Sequence, residues 1–201
     1  MRLLAPQPRH QSLPSDAVAE PLSFETVFRS YARLVGRWAQ RLGGPGVEAD
    51  ETVQQVFLTV NRRLPAFRGG EKVTSWLFQI TARVVANQRR TVRRGRSRWG
   101  ELSSQVADQA MSTAPGPAEI FEAREAAERF YRVLDTLREN HRHVLVLFEL
   151  EEMSTEQIAV LVDRPPATVR VWLHRARATF AKGWQRQSDL EEDNVSEQEE
   201  S

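Results

Sequence analysis

Cysteine is absent from this 201-residue chain, which excludes disulfide staples and thiolate metal sites together. Histidine is scarce, with only His10, His141, His143 and His174. His141 and His143 stand two apart and cannot share a helix face around a metal. No Ser/His/acid pairing, phosphate loop or carboxylate dyad stands out. The chain therefore does not read as an enzyme, and it implies no catalytic residue, metal or cofactor. Apolar runs are short, and none approaches the ~18 residues of a membrane span. The N-terminal stretch carries Pro6, Pro8, Pro14 and Pro21 and lacks a long apolar core, so it does not read as a secretory signal. Residues 1–22 are expected to form a disordered arm, and the protein to be cytoplasmic. Sustained strand alternation and internal repeats are missing as well.

What is present is charge, sorted along the chain. The net charge of +1 conceals eleven basic residues against one acid, Glu71, between Arg62 and Arg98. Six more basic residues and no acid lie between Arg164 and Arg186, and seven acids and no base between Asp189 and Ser201. Two basic blocks point to a polyanion partner.

Periodicity predicts an all-α protein. Ser23 can cap a helix in which Phe24, Val27, Phe28, Tyr31, Leu34, Val35 and Trp38 recur at helical spacing, and Gly43-Gly44-Pro45-Gly46 ends it. A second helix is expected from about Val47 to Leu64, with Val53, Val56, Phe57 and Val60 buried and Pro65 closing it. A long basic helix should follow from Lys72 to Arg94. Residues 99–118 have the composition of a flexible linker. Helical periodicity resumes at Ile120, continues through Leu137, and returns in an apolar helix from His141 to Glu151. The expected organisation is two small helical domains, 23–98 and 119–187, followed by an acidic disordered tail, 188–201.

The second domain ends in a helix-turn-helix pattern. Ser154 and Gln157 can form a capping box ahead of Ile158, Ala159, Leu161 and Val162. Asp163-Arg164-Pro165-Pro166 breaks that helix, with Pro166 suited to the first turn of the next. The next helix is expected to run to about Trp184, with Val169, Leu173, Ala176 and Phe180 facing inward. Thr168, Arg170, Val171, His174 and Arg175 would be exposed near its start, where a recognition helix reads base edges in the major groove. Arg177 and Lys182 lie further along, where phosphates are the more natural contact.

The run from Gln157-Ile158-Ala159-Val160-Leu161 to Thr168-Val169-Arg170-Val171-Trp172-Leu173-His174-Arg175-Ala176-Arg177 resembles region 4 of bacterial sigma factors, most of all the extracytoplasmic-function group. That resemblance implies binding of the −35 promoter element through Thr168, Arg170, Val171, His174, Arg175 and Arg177. The sequence departs from the family at Asp163 and Ala167, where Gly is usual, and at Val171-Trp172, where a Ser-Arg pair is common. Asp163 tolerates the left-handed conformation that such a turn requires.

Ala49 to Leu58 resembles the region 2 helix that docks on core RNA polymerase, which implies a contact face of Asp50, Glu51, Gln54, Gln55 and Leu58. Thr74-Ser75-Trp76-Leu77-Phe78-Gln79-Ile80 and the basic run after it resemble the −10 recognition helix. At 3.6 residues per turn, Lys72, Gln79, Arg83, Arg90 and Arg94 fall within a stripe about 60° wide. Val73, Leu77, Ile80 and Val84 make the adjoining buried face. The resemblance adds Phe67 and Arg68, in the loop that captures an extruded base, and Asn87. Phe67 suits a stacking role or a place in the core equally, whereas Trp76 fits the core better. The arginines from Arg89 to Arg98 are expected on duplex DNA. The partners implied are core polymerase, promoter DNA and, optionally, an anti-sigma factor. An ordinary helix-turn-helix regulator would explain the second domain but not the first. The acidic tail suits either a solubilising role or competition with DNA for Arg170, Arg175 and Arg177.

Overall fold

The computed structural model describes residues 22–68, 72–98 and 117–199, which form seven α-helices and no strand. The N-terminal arm (1–21), the loop residues 69–71, the linker (99–116) and the last two residues lie outside the described set. Helix α1 (Phe24–Gly43) begins at Ser23, whose Oγ accepts the Thr26 N–H at 3.1 Å. Val27, Tyr31, Leu34, Val35 and Trp38 are buried. Phe24 and Phe28, from the same periodic run, stay 38% and 43% exposed and lean on the edge of Phe57. The helix stops at Gly44, which adopts φ +75° and donates its N–H to the Gln40 carbonyl at 3.1 Å.

Helix α2 (Ala49–Arg63) passes into a single 3₁₀ turn, Leu64–Ala66, around Pro65. Val56, Phe57 and Val60 are buried, while Val53 is half-buried. Helix α3 (Val73–Arg98) buries Val73, Leu77 and Ile80 of the predicted stripe and leaves its fourth member, Val84, half-buried, with Phe78 set edge-on to Trp38 at 5.3 Å. These three helices form the first helical part.

The second part holds α4 (Pro117–Leu134), α5 (Glu139–Glu149), α6 (Thr155–Val162) and α7 (Pro166–Glu199). Helix α5 starts and stops two residues earlier than its apolar pattern suggested, which leaves Glu151 in a connection where it is buried. The capping box forms: the Gln157 N–H donates to Ser154 Oγ at 3.2 Å and the Ser154 N–H to Gln157 Oε1 at 2.9 Å. Asp163 takes the left-handed conformation, φ 51° and ψ 56°.

Helix α7 overruns the predicted end near Trp184, and the acidic segment expected to be disordered is helical to Glu199. Two causes combine. Glu and Gln are good helix formers, and α4 braces the helix well past Trp184. Phe130 packs on Phe180 at 5.2 Å, Arg129 lies 4.5 Å over the Trp184 ring, and Arg129 also bonds the Ser188 hydroxyl. A continuous helix carries Asp189 about 18 Å along the axis beyond Arg177. The helical tail thus leads away from the exposed arginines Arg170, Arg175 and Arg177 and does not fold back over them.

The two parts share one apolar cluster, and polar contacts join them. The Tyr131 hydroxyl of α4 donates to the Arg41 carbonyl of α1 at 3.2 Å. Gly44 permits this approach, since a Cβ there would fall well inside contact distance of the Tyr131 ring. Gly44→Ala should therefore destabilise the protein by about 2–4 kcal/mol, combining a left-handed backbone penalty with overpacking. Urea unfolding monitored by circular dichroism checks this, and a change below the measurement error would contradict it.

Candidate nucleic-acid and polymerase interface

The start of α7 is held by Val169, Leu173 and Ala176, all buried against α5 and α6. Helical spacing then turns Arg170, Val171, His174, Arg175 and Arg177 outward, where all five are exposed; Thr168 is half-buried in the first turn. Val171 is 47% exposed, unusual for a β-branched side chain and suited to a thymine methyl. Carboxylates on neighbouring helices pre-orient two of the arginines. Arg170 pairs with Glu156 at 2.9 Å, and Arg177 grips Glu149 through Nε and Nη2 at 2.8 and 2.6 Å while lying 4.8 Å over the Phe148 ring. The Glu156 carboxyl is held below the usual range, first by its own backbone N–H at the helix start, then by the Thr155 hydroxyl and Arg170.

On α3, Gln79, Arg83, Asn87, Arg90 and Arg94 are exposed, with Lys72 just ahead of the helix and Arg68 in the loop before it. Asn87 Oδ1 accepts from Arg90 at 3.1 Å. Gln79 is exposed, yet its amide donates to the Leu161 carbonyl of α6 at 3.1 Å. Phe67 is half-buried, its ring 4.8 Å from Trp76 and tilted by 42°. Trp76 is half-buried as well and lines a cleft of about 970 Å³ between α3 and the α6–α7 turn, with Trp172 on the opposite side.

On α2, Asp50, Glu51, Gln54, Gln55 and Leu58 are all exposed, Leu58 by 50%. Gln55 Nε2 donates to Glu51 at 2.9 Å, an i,i+4 pair that steadies this face. Thr52 points inward, donating to the Glu48 carbonyl at 2.7 Å and to the Gln88 side chain. The three helices thus present three separate exposed surfaces, two basic and one mixed polar and apolar.

Residues 27–95 match sigma-70 region 2, and residues 127–180 match sigma-70 region 4. The chain belongs to the extracytoplasmic-function group of RNA polymerase sigma factors. It is 30% identical over 162 residues to the ECF RNA polymerase sigma factor SigE of Mycolicibacterium smegmatis, covering 81% of this chain and 61% of that protein. It is 28% identical over 152 residues to the ECF RNA polymerase sigma-E factor of Escherichia coli K12, covering 73% of this chain and 76% of that one. Among solved structures, the fold is similar to the sigma factor RpoE in complex with the anti-sigma factor NepR from Bartonella quintana, with a TM-score of 0.54 and 18% identity over 81% of this chain and 96% of that one. It is also similar to CnrH in complex with the cytosolic domain of CnrY, with a TM-score of 0.51 and 20% identity over 79% and 85%.

One group of residues in this sigma factor had no signal in the sequence pattern. Arg89, expected on duplex DNA, is buried: it pairs with Asp135 at 2.6 Å and Glu139 at 3.0 Å, both from the second part. Its place on α3 turns it away from the basic stripe toward the α4–α5 turn. Arg142 is buried beside it, donating to Asp135 at 3.0 Å and to the Leu42 carbonyl at 2.8 Å. Burial pushes its pKa down to about 10, which still leaves it charged at neutral pH. Glu151, also buried, accepts from Arg37 and Arg41 at 3.4 and 3.0 Å. Carboxylates in a short turn look solvated in sequence, and only the approach of α1 and α3 gives them a structural role.

His143 completes this cluster, edge-on to Phe78 at 5.8 Å and 3.5 Å from Glu139. Burial holds the imidazole well below its ordinary pKa; Glu139 opposes the shift, and Arg142 and Arg89 add to it. The ring is therefore neutral at pH 7. A depressed folded-state pKa means that its stabilisation is present above about pH 6.5 and is lost as the pH falls below that value. Thermal unfolding should shift to lower temperature between pH 7 and pH 5. His143→Gln should show a shallower decline, whereas an unchanged slope would remove His143 as a source.

Proposed function

We propose that this chain binds core RNA polymerase through the exposed face of α2 and directs it to promoters that carry both −35 and −10 elements. In this reading residues 119–187 act as region 4, placing α7 in the −35 major groove. Residues 23–98 act as region 2: the α3 stripe follows the −10 element, and Phe67 and Arg68 help hold an extruded base as the strands open. The single supporting observation is that two basic surfaces, on α3 and α7, stand exposed within the two matched regions. Catalysis belongs to the polymerase, and this chain supplies recognition. The working compartment is the cytoplasm, where the promoter is. An anti-sigma factor is a fitting third partner, since both similar structures are complexes with a second protein.

Within that reading the exposed cations divide by task. Arg170, in the first turns of α7, is placed to read a base edge, and Arg94, near the end of the α3 stripe, to meet phosphate. Arg170→Ala should relax preference at one −35 position by roughly 1–3 kcal/mol. Arg94→Ala should instead weaken binding across sequences and lower the salt slope by about one unit. Identical effects from the two variants would remove the division. The function as a whole is tested by initiation in vitro: the chain with core polymerase should start transcription from a two-element promoter. Failure to co-elute with core polymerase across a range of salt concentrations would overturn it.

A further inference from the structure

Helix α5 ends on an acid, Glu149, and has no basic residue in its last turn. A carboxylate there meets the negative pole of the helix dipole, where a cation would be favoured. The cation comes from another helix. Arg177 of α7, 28 residues further along the chain, donates to Glu149 Oε1 from Nε at 2.8 Å and from Nη2 at 2.6 Å. Its guanidinium carbon also lies over the Phe148 ring, 4.8 Å from the centroid. Both an edge and a face of Arg177 are thus held. Arg170 is held less firmly, through Nη2 alone to Glu156 at 2.9 Å.

Stability does not account for this pair. A solvent-accessible ion pair contributes little to folding, and an acid at a helix C-terminus costs a similar amount. With Glu149 31% and Arg177 50% exposed, the two effects nearly cancel. What the pair changes is the state of Arg177. A guanidinium carries its N–H donors in a rigid planar fork. Glu149 takes the edge made by Nε and Nη2, which leaves the parallel donors of the Nη1–Nη2 end for a phosphate. Fixing a long side chain before DNA arrives spares the cost of ordering it on binding.

Arg177 lies about two turns and 10 Å beyond Arg170 on nearly the same exposed face of α7. A phosphate contact carries no sequence information directly, but it fixes the register in which a neighbouring side chain meets its base. Resting on the reading of α7 as the −35 helix, we propose that Glu149 is a positioning residue for promoter discrimination. It aims Arg177 at one phosphate, and that contact sets Arg170 over its base edge. Without Glu149, Arg177 still attracts DNA and carries an unpaired charge, but it grips phosphates in several registers. Attraction survives, and discrimination falls.

The test uses the full chain with core polymerase on two promoters that differ only in an intact or a scrambled −35 element. The readout is the ratio of their transcript yields. Glu149→Ala should lower that ratio about fivefold, the scale of ordering one long side chain. Glu149→Gln should keep it within about twofold of the parent, because the amide oxygen accepts from the same two nitrogens. In an Arg177→Ala background, Glu149→Ala should add no further loss, as expected of two residues that act through one contact. Thermal unfolding of Glu149→Ala should stay at or above the parent temperature. An unchanged ratio in Glu149→Ala overturns the proposal, as does the same loss with and without Arg177. An equal loss in Glu149→Gln makes charge the cause in place of orientation and overturns it too, and so does a fall in unfolding temperature that accompanies the loss. A parent that is silent, or indifferent to the −35 element, refutes the reading of α7 and this proposal with it. A discriminating parent whose ratio Glu149→Ala leaves unmoved refutes the positioning role alone.

Discussion

Arg142 carries a full positive charge into the centre of the molecule, and the junction between the two helical parts is arranged around satisfying it. One amino group of the guanidinium reaches the Leu42 carbonyl in the last turn of α1, where the helix dipole is negative and the carbonyl lacks a partner inside the helix. The other reaches Asp135 in the turn after α4, and the Tyr131 ring lies 5.7 Å from the guanidinium carbon. Removing a cation from water costs several kcal/mol unless partners surround it. The position of Arg142 therefore requires the end of α1, the side chain of α4 and the α4–α5 turn to converge. Gly44 and Tyr131 make that convergence sterically possible.

The same principle operates at α6, an eight-residue helix too short to be stable alone. Its start is closed by its own sequence through the Ser154–Gln157 box, and its end by side chains from α3. A helix-turn-helix needs α6 fixed so that α7 projects at a defined angle. The element that completes α6 is α3, through Ser75 and Gln79, the same helix that carries an exposed basic stripe.

Charge follows a different logic on the outer faces. The α3 stripe and the start of α7 keep their cations exposed because the opposite faces of both helices bury apolar residues. Arg89 instead falls on the α3 face shared with buried Phe78, Ala82 and Val85, where Asp135 and Glu139 of the second part meet its charge. Trp172, a departure from the family pattern on the side of α7 that faces α3, lines the cleft between the parts together with Trp76.

By itself the sequence determined the all-helical class, the order of helices, the two caps at Ser23 and Ser154, the left-handed Asp163 and which faces of α2, α3 and α7 stay in water. Each of these follows from local spacing or backbone preference, which a few neighbouring residues settle. Tertiary structure decided the rest. Arg89 and Arg142 became buried clasps, Gln79 became a cap for a distant helix, and Glu151 became a buried acceptor, because their partners lie 46 to 114 residues away except where Arg142 meets nearby Asp135. The overrun of α7 belongs to the same class: the end of periodicity near Trp184 marked the end of an apolar stripe, while the helix itself continued because α4 lies alongside it. Periodicity records what a residue needs from its own helix, and it is silent about which other helix will supply a counter-charge or a carbonyl.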